Sequence, residues 1–403
     1  MCCIIKKLDR IKMILIDKPY ASDFLIKTIK ENNFQIIATK VAKSMVDDAS
    51  LNWISEKDAI TLYEKDPNLR VYTNSENSIS WIEKNLSKST LPNKIQLFKN
   101  KITFRELVKD AYPEYFFKGV KLGVLKTLKK QDLPFPIIIK PAVGFFSLAV
   151  HKIDTITEWE NVITNIEEEI ETFKGMYPKE VVDVSDFIIE KYIEGEEYAI
   201  DCYFNKNGEP VILNILHHIF SSSKDVSDRV YTTSKEIIEK YKNEIYQFLK
   251  IVGQKAALKN FPMHVEVRID SFGKVYPIEI NPQRFGGWCT TGDLSWYAYG
   301  INSYEYFLYD KKPNWDEIFN LKESKLFSLI VLDNNSGIKE SNIESFDYEL
   351  LLQGFENPLN LRKVDYKTYS VFGFLFLETS VGNEKELQEI LKSNLKKYIK
   401  IKK

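Results

Sequence analysis

The sequence predicts a mixed fold, α/β at its start and α+β beyond, and three observations carry that prediction. Apolar strand-like runs alternate with helical patterns up to about Leu91, the mark of strands joined in parallel by helices. Over residues 264–287 the pattern changes to two period-two runs on either side of Asp270-Ser271-Phe272-Gly273, the mark of a β-hairpin. At 403 residues the chain can bury two or three separate cores.

Ile11 to Asp17 is the first convincing strand. A helix is expected over Asp23–Asn32, a strand over 34–39, a helix over 52–64, a strand over 69–73 and a helix over 78–86 with Trp81 in the core. No G-x-G-x-x-G occurs in this part, so a dinucleotide-binding reading has no support.

After Asn100 a helix is expected, and Lys101 falls in its first turn, a poor place for a cation unless it reaches an anion. The run Phe135-Pro136-Ile137-Ile138-Ile139-Lys140-Pro141 is a buried strand ending in an ammonium, which wants a counter-charge that a phosphate would supply. Residues 142–150 read as loop and strand, and 155–174 as an acidic amphipathic helix. Residues 186–203 read as two strands joined by a tight turn at Glu194-Gly195. Asn205 to Gly208 is a hairpin turn before a strand over 211–220, and the polar run 221–229 is a loop of the kind that carries specificity.

In the 264–281 hairpin, Val265, Val267 and Ile269 are expected to share one face with Ile278 and Ile280. The other face then carries His264, Glu266, Arg268, Glu279 and Asn281. Two carboxylates and an amide converge there, hard oxygen donors that suit magnesium with nucleotide phosphates completing its shell. Gly286-Gly287 follows and lets backbone approach a ligand closely. Beyond it come a helical, aromatic-rich piece over 288–309, a linker over 314–321, strands over 326–332 and 369–377, and a closing helix over 384–400.

These motifs, Lys140-Pro141, then Glu190-Lys191-Tyr192-Ile193, then Glu279-Ile280-Asn281-Pro282, resemble in their order the ATP-grasp superfamily, whose enzymes bind ATP between two α+β subdomains. The resemblance covers roughly residues 93–310 and implies an ATP-grasp fold with an N-terminal α/β domain over 1–92, a core over 93–310 with a lid at about 133–197, and a C-terminal α+β tail over 311–403. It implies Glu266, Glu279 and Asn281 as ligands of Mg2+, with Mn2+ an alternative. Lys101, Lys140 and the loop around Ser147 would hold the ATP phosphates, although Phe145, Phe146 and Ala149 stand where the family is often small. Lys191 C=O, Ile193 N–H and the Glu190 side chain would read adenine, and Glu197 the ribose. Arg284, one residue later than the usual Asn-x-Arg spacing, joins Lys140 as a catalytic residue, with a structural salt bridge as its alternative. His217, His218 and Arg229 are candidates for contacting an acceptor, and a structural role for each stays open.

The implied activity is an ATP-dependent carboxylate–amine (or carboxylate–thiol) ligase acting on small molecules, with an amino acid or short peptide as the substrate class. An ATP-binding regulatory or assembly protein is the rival. With 56 basic against 57 acidic residues the chain has no electrostatic case for nucleic acid. No run of eighteen apolar residues exists, so no membrane partner is expected. Four cysteines without metal-ligand spacing read as reduced thiols of a cytoplasmic protein, and a homodimer is compatible with the chain.

Overall fold

The computed structural model describes residues 11–144, 149–173, 183–222, 227–320 and 325–402. Its first sheet is parallel and contains β1 (Lys12–Leu15), β2 (Gln35–Ile37), β3 (Trp53–Ile54) and β4 (Arg70–Thr73), in the order β3-β2-β1-β4. The build reverses at β1, so the crevice beyond the carboxyl ends of β1 and β4 is a switch point, where open α/β sheets take ligands. The helix Asp23–Asn32 starts where Ser22 caps it, its Oγ accepting from the Leu25 N–H at 3.1 Å, and ends on Asn33 in the left-handed conformation. The helix expected over 52–64 is shorter, because Trp53 and Ile54 pair with Ile36 and Ile37 and the helix begins at Glu56 behind Ser55. Trp81 lies at the rim of the core, half-buried, and donates its indole N–H to Glu56 at 2.6 Å.

The second sheet is antiparallel, with β5 (Phe117–Lys121), β6 (Ile137–Val143), β7 (His151–Ile153) and β8 (Asp183–Lys191) in the order β5-β8-β6-β7. It packs on the helix Trp159–Phe173 through a core of its own that includes Ile137, Ile139, Trp159, Ile163 and Phe187.

The third sheet has eight strands: β9 (Glu196–Phe204), β10 (Pro210–Ile219), β11 (Val230–Thr233), β12 (Phe261–Ile269), β13 (Val275–Pro282), β14 (Lys325–Asp333), then β16 (Asn357–Lys363) and β17 (Val371–Ser380). They run in the order β13-β12-β9-β10-β11-β14-β17-β16, and β15 (Ile343–Phe346) pairs apart with β18 (Ile399–Ile401). Both expected tail strands, β14 and β17, therefore extend the central sheet, and an unexpected third, β16, joins them at its edge. The expected linker over 314–321 contains the helix Trp315–Asn320, whose Trp315 and Phe319 are buried against Tyr299. The closing helix stops at Leu391, and after Leu395 in the left-handed conformation the chain returns as β18.

Two further expectations are corrected. β8 and β9 are not a hairpin, since β8 pairs with β5 and β6 while β9 pairs with β10 and β12, so residues 192–195 link two sheets. In the β12–β13 hairpin, Val265 opposes Ile280 and Glu266 opposes Glu279, but a bulge then sets Val267 against Pro277. Ile278 is the extra residue, and it lines a cleft rather than the core beside Val265 and Val267. Among the described residues no helix is long and apolar enough to cross a membrane.

Candidate active site

A cleft of about 1340 Å³ opens where the three sheets meet. Asp17 and Asn74 reach it from the switch point of the parallel sheet, Lys140 and Glu190 from the second sheet, and Glu197, Glu266 and Glu279 from the third.

The cationic end is built on β6, β8 and the helix Lys101–Val108, which Asn100 caps by accepting from the N–H groups of Ile102 and Thr103. Ile138 opposes Glu190 across β6 and β8, which brings Lys140 Nζ to 2.8 Å from Glu190 Oε2. Arg105, on the same helical face as Lys101 four residues earlier, donates its Nε–H to the other oxygen. Burial pushes the Glu190 carboxyl up, but Arg105 and Lys140 outweigh it and hold it down at about 2. Both Glu190 oxygens are thus committed to cations, and the carboxylate does not stand free for an adenine amino group. The Arg105–Glu190–Lys140 cluster keeps one surplus positive charge, which suits an anion. Arg105 was legible in the sequence only as a neighbour of Lys101 on a helical face.

Lys101 Nζ lies 3.1 Å from Glu279 Oε1 and 3.3 Å from the Gly144 carbonyl. Glu279 faces Glu266 directly across the hairpin, and His264 faces Asn281 two rungs away, the next pair on the same face. The Asn281 amide approaches Glu266 Oε1 at 3.4 Å. Burial, and then the charge of Glu279, pushes the Glu266 carboxyl well above the usual carboxylate range. A divalent cation between them would remove that repulsion, so the donor set fits one. Among the described residues no three His, Cys, Asp or Glu side chains converge at metal-ligating spacing, so Asn281 and oxygens of a bound ligand would complete such a shell. His264, named in the hairpin pattern but given no role, is oriented by the fully buried Asp201, 2.7 Å from its Nδ1. Asp201 also accepts from the Gly286 N–H at 3.1 Å and the Thr291 hydroxyl at 2.5 Å, tying the hairpin to the turn that follows it.

At the link between sheets, Glu197 is held by His218 Nδ1 at 3.0 Å and Arg268 Nε at 3.2 Å. Arg268 also donates to the Ile193 carbonyl at 3.0 Å. Among the described residues the Ile193 N–H has no protein acceptor, and Lys191 is exposed beside it. Of the three candidates for contacting an acceptor, His218 lines the cleft. His217 pairs instead with Glu196 at 2.9 Å, and Arg229 is buried 2.7 Å from Asp333.

Arg284 lines the cleft and also binds Glu76, from the segment after β4, at 3.2 Å through Nε and 2.5 Å through Nη2. Lys99 holds the other Glu76 oxygen. Ser147 lies outside the described residues. Of the other expected residues, Lys101, Lys140, Glu190, Lys191, Ile193, Glu197, Glu266, Glu279, Asn281 and Arg284 all line one cleft.

Residues 133–292 match the family model described as the ATP-grasp domain. No curated protein sequence matches the chain. Among solved structures the chain is similar to L-amino acid ligase from Bacillus licheniformis, at 17% identity over 97% of this chain and 98% of that one, with a TM-score of 0.64. It is similar to N5-carboxyaminoimidazole ribonucleotide synthetase from Thermotoga maritima, at 15% identity, 97% and 99% coverage and a TM-score of 0.64. It is also similar to a biotin carboxylase β-γ-ATP complex from Campylobacter jejuni, at 14% identity, 98% and 93% coverage and a TM-score of 0.64. Residues 133–292 thus match the ATP-grasp domain, and the likeness of fold extends along nearly the full length of these ligase and carboxylase structures.

Proposed function

Starting from that ATP-grasp domain, we propose that the protein is an ATP- and magnesium-dependent ligase that joins a small-molecule carboxylate to an amine, or to a thiol, through an acyl phosphate. The observation that carries this is the meeting, in one cleft, of the Arg105–Glu190–Lys140 cluster, the opposed Glu266 and Glu279, and the switch point of the parallel sheet. An amino acid or short peptide is the substrate class, supported by the likeness to an L-amino acid ligase.

Adenine is read at the link between β8 and β9 by the Lys191 carbonyl and the Ile193 N–H, and the ribose hydroxyls by Glu197. Lys101 and Lys140 hold the phosphates. Glu190, held between Arg105 and Lys140, positions Lys140 rather than the base. Glu266, Glu279 and Asn281 would hold magnesium or manganese, which when bound offsets charge on the phosphate oxygens. A carboxylate oxygen of the substrate bonds to the γ-phosphorus as the bond to the β–γ bridging oxygen breaks and ADP leaves. Lys140 and Arg284 oppose the charge on the transferring group. The amine nitrogen then bonds to the acyl carbon as the bond from that carbon to the phosphate oxygen breaks, so that phosphate departs and the nitrogen gives its extra proton to solvent.

The test is ADP release by the full chain with a panel of carboxylates and amines. The reading expects release above the ATP-only rate when both partners are present. ATP binding without such release for any pair would overturn it and favour an ATP-binding regulatory or assembly protein.

A further inference from the structure

The floor of the cleft changes character along a single rung of the eight-stranded sheet. Directly opposed residues run from Arg268 on β12 to Glu197, His218, Tyr231 and Leu329, all lining the cleft, and the row ends on the fully buried Phe376 of β17. Opposed residues in antiparallel strands share a face, so one surface passes from guanidinium and carboxylate to aliphatic and aromatic side chains. Two residues on, the same face repeats the apolar end with Val331 against Phe374. Asp333, the acid that lies beyond them on β14, is paired with Arg229.

Over this floor stands an aromatic wall. Trp288 and Tyr369 meet edge to face with ring centres 4.9 Å apart, and Trp288 lies 5.5 Å from Phe374. Trp288 is half-buried and Tyr369 is 38% exposed, so both rings keep free surface toward the cleft. The Trp288 ring is held in place by its backbone. Trp288 and Cys289 both adopt the left-handed conformation, at φ 58° and 59°, a state that β-carbon-bearing residues keep only when their surroundings impose it. Arg362 supplies part of that hold, donating to the Trp288 carbonyl at 2.5 Å while its other nitrogen pairs with Asp293 at 2.5 Å.

We propose that the cleft end formed by Trp288, Tyr369, Leu329, Val331 and Phe374 is a specificity pocket for an apolar, preferably aromatic, side chain of the ligase substrate. This rests on the ligase reading above for the identity of the occupant as a substrate. The surfaces are apolar, Trp288 and Tyr369 offer exposed ring surface against which an aromatic or aliphatic side chain packs, and Asp333, the acid beside them on β14, is paired with Arg229.

The experiment follows ADP release with ATP, magnesium and pairs drawn from phenylalanine, leucine, alanine, serine and glutamate. In parallel, calorimetric titration of phenylalanine in the presence of a non-hydrolysable ATP analogue and magnesium reads binding without turnover. Pairs containing phenylalanine or leucine are expected to exceed those containing only alanine, serine or glutamate by tenfold or more in kcat/KM, the scale of a few buried methylenes. That advantage should fall at least fivefold in Tyr369→Ala and in Trp288→Ala. Equal or better use of alanine or glutamate, or an advantage unchanged in Tyr369→Ala, overturns the pocket while leaving the ligase reading intact. If no pair releases ADP, the ligase reading fails and the titration decides the pocket. Phenylalanine binding that Tyr369→Ala abolishes supports it, and no phenylalanine binding to the unaltered chain overturns it.

Discussion

Glu76 and Glu190 are two buried carboxylates, each set between a pair of cations, at two places along one cleft. Lys99 and Arg284 hold the Glu76 carboxyl down at about 2 against the upward push of its burial. Because this one acid serves two cations, Glu76→Gln leaves both without their anion and is expected to cost about 3–5 kcal/mol in denaturant unfolding at pH 7. Arg284→Lys leaves Glu76 with Lys99 and should cost less. If Arg284 also acts on the transferring group, that variant lowers kcat with KM for ATP nearly unchanged, whereas a purely structural arginine loses thermal stability and keeps kcat. The Glu76 pKa is depressed on folding, so its contribution is complete above the unfolded value of 4.5 and fades as pH falls toward 2. The stability gap between the unaltered chain and Glu76→Gln should therefore narrow between pH 5 and pH 3. Glu279→Gln is a different kind of change, since Glu279 sits on the cleft wall against Lys101. It should abolish ADP release without lowering the melting temperature by more than a few degrees, and excess magnesium should restore activity only in part.

At the scale of elements, the link between β8 and β9 turns on Gly195. Its φ is 142°, and a β-carbon there would lie 2.3 Å from the Ile269 carbonyl oxygen, which is backbone and cannot swing aside. Gly195→Ala should lose about 2 kcal/mol or more of stability and weaken ATP binding, both read from melting curves with and without nucleotide. Across β9 and β10 the His218 imidazole faces Glu197, with Asp228 and the Ser227 carbonyl on its far side. Burial works against its charged form, but those partners outweigh burial and raise its pKa. A raised value means the stability from charged His218 is complete below the ordinary 6.5 and is lost as pH rises through the folded value. The stability difference between the unaltered chain and His218→Gln should be larger at pH 6 than at pH 9.

For the whole molecule, the proposed adenine reading by backbone at residues 191–193 predicts ATP over GTP. ATP with magnesium at a hundredfold excess over Kd should stabilise the chain by about 2.7 kcal/mol, and GTP at the same concentration by much less. Equal stabilisation by the two nucleotides would sink that assignment.

The sequence by itself determined what depends on neighbours along the chain. Ser22 and Asn100 announce helix starts because capping is a contact across two or three residues. The period-two runs on either side of a short turn announce the β12–β13 hairpin, but the bulge at Ile278, not the turn, is what sets Glu266 directly against Glu279. Tertiary structure decided everything that a residue gains from a distant partner. A strand's alternation does not name its sheet, so only the fold could part β8 from β9 and carry β14 to β17 into the central sheet. A carboxylate's pattern does not name its cation, so only the fold could give Glu190 to Arg105 and Lys140, and Arg284 to Glu76 across more than two hundred residues. The pairing energy of such buried charges is not encoded in any local stretch, because it exists only where packing removes water from both partners.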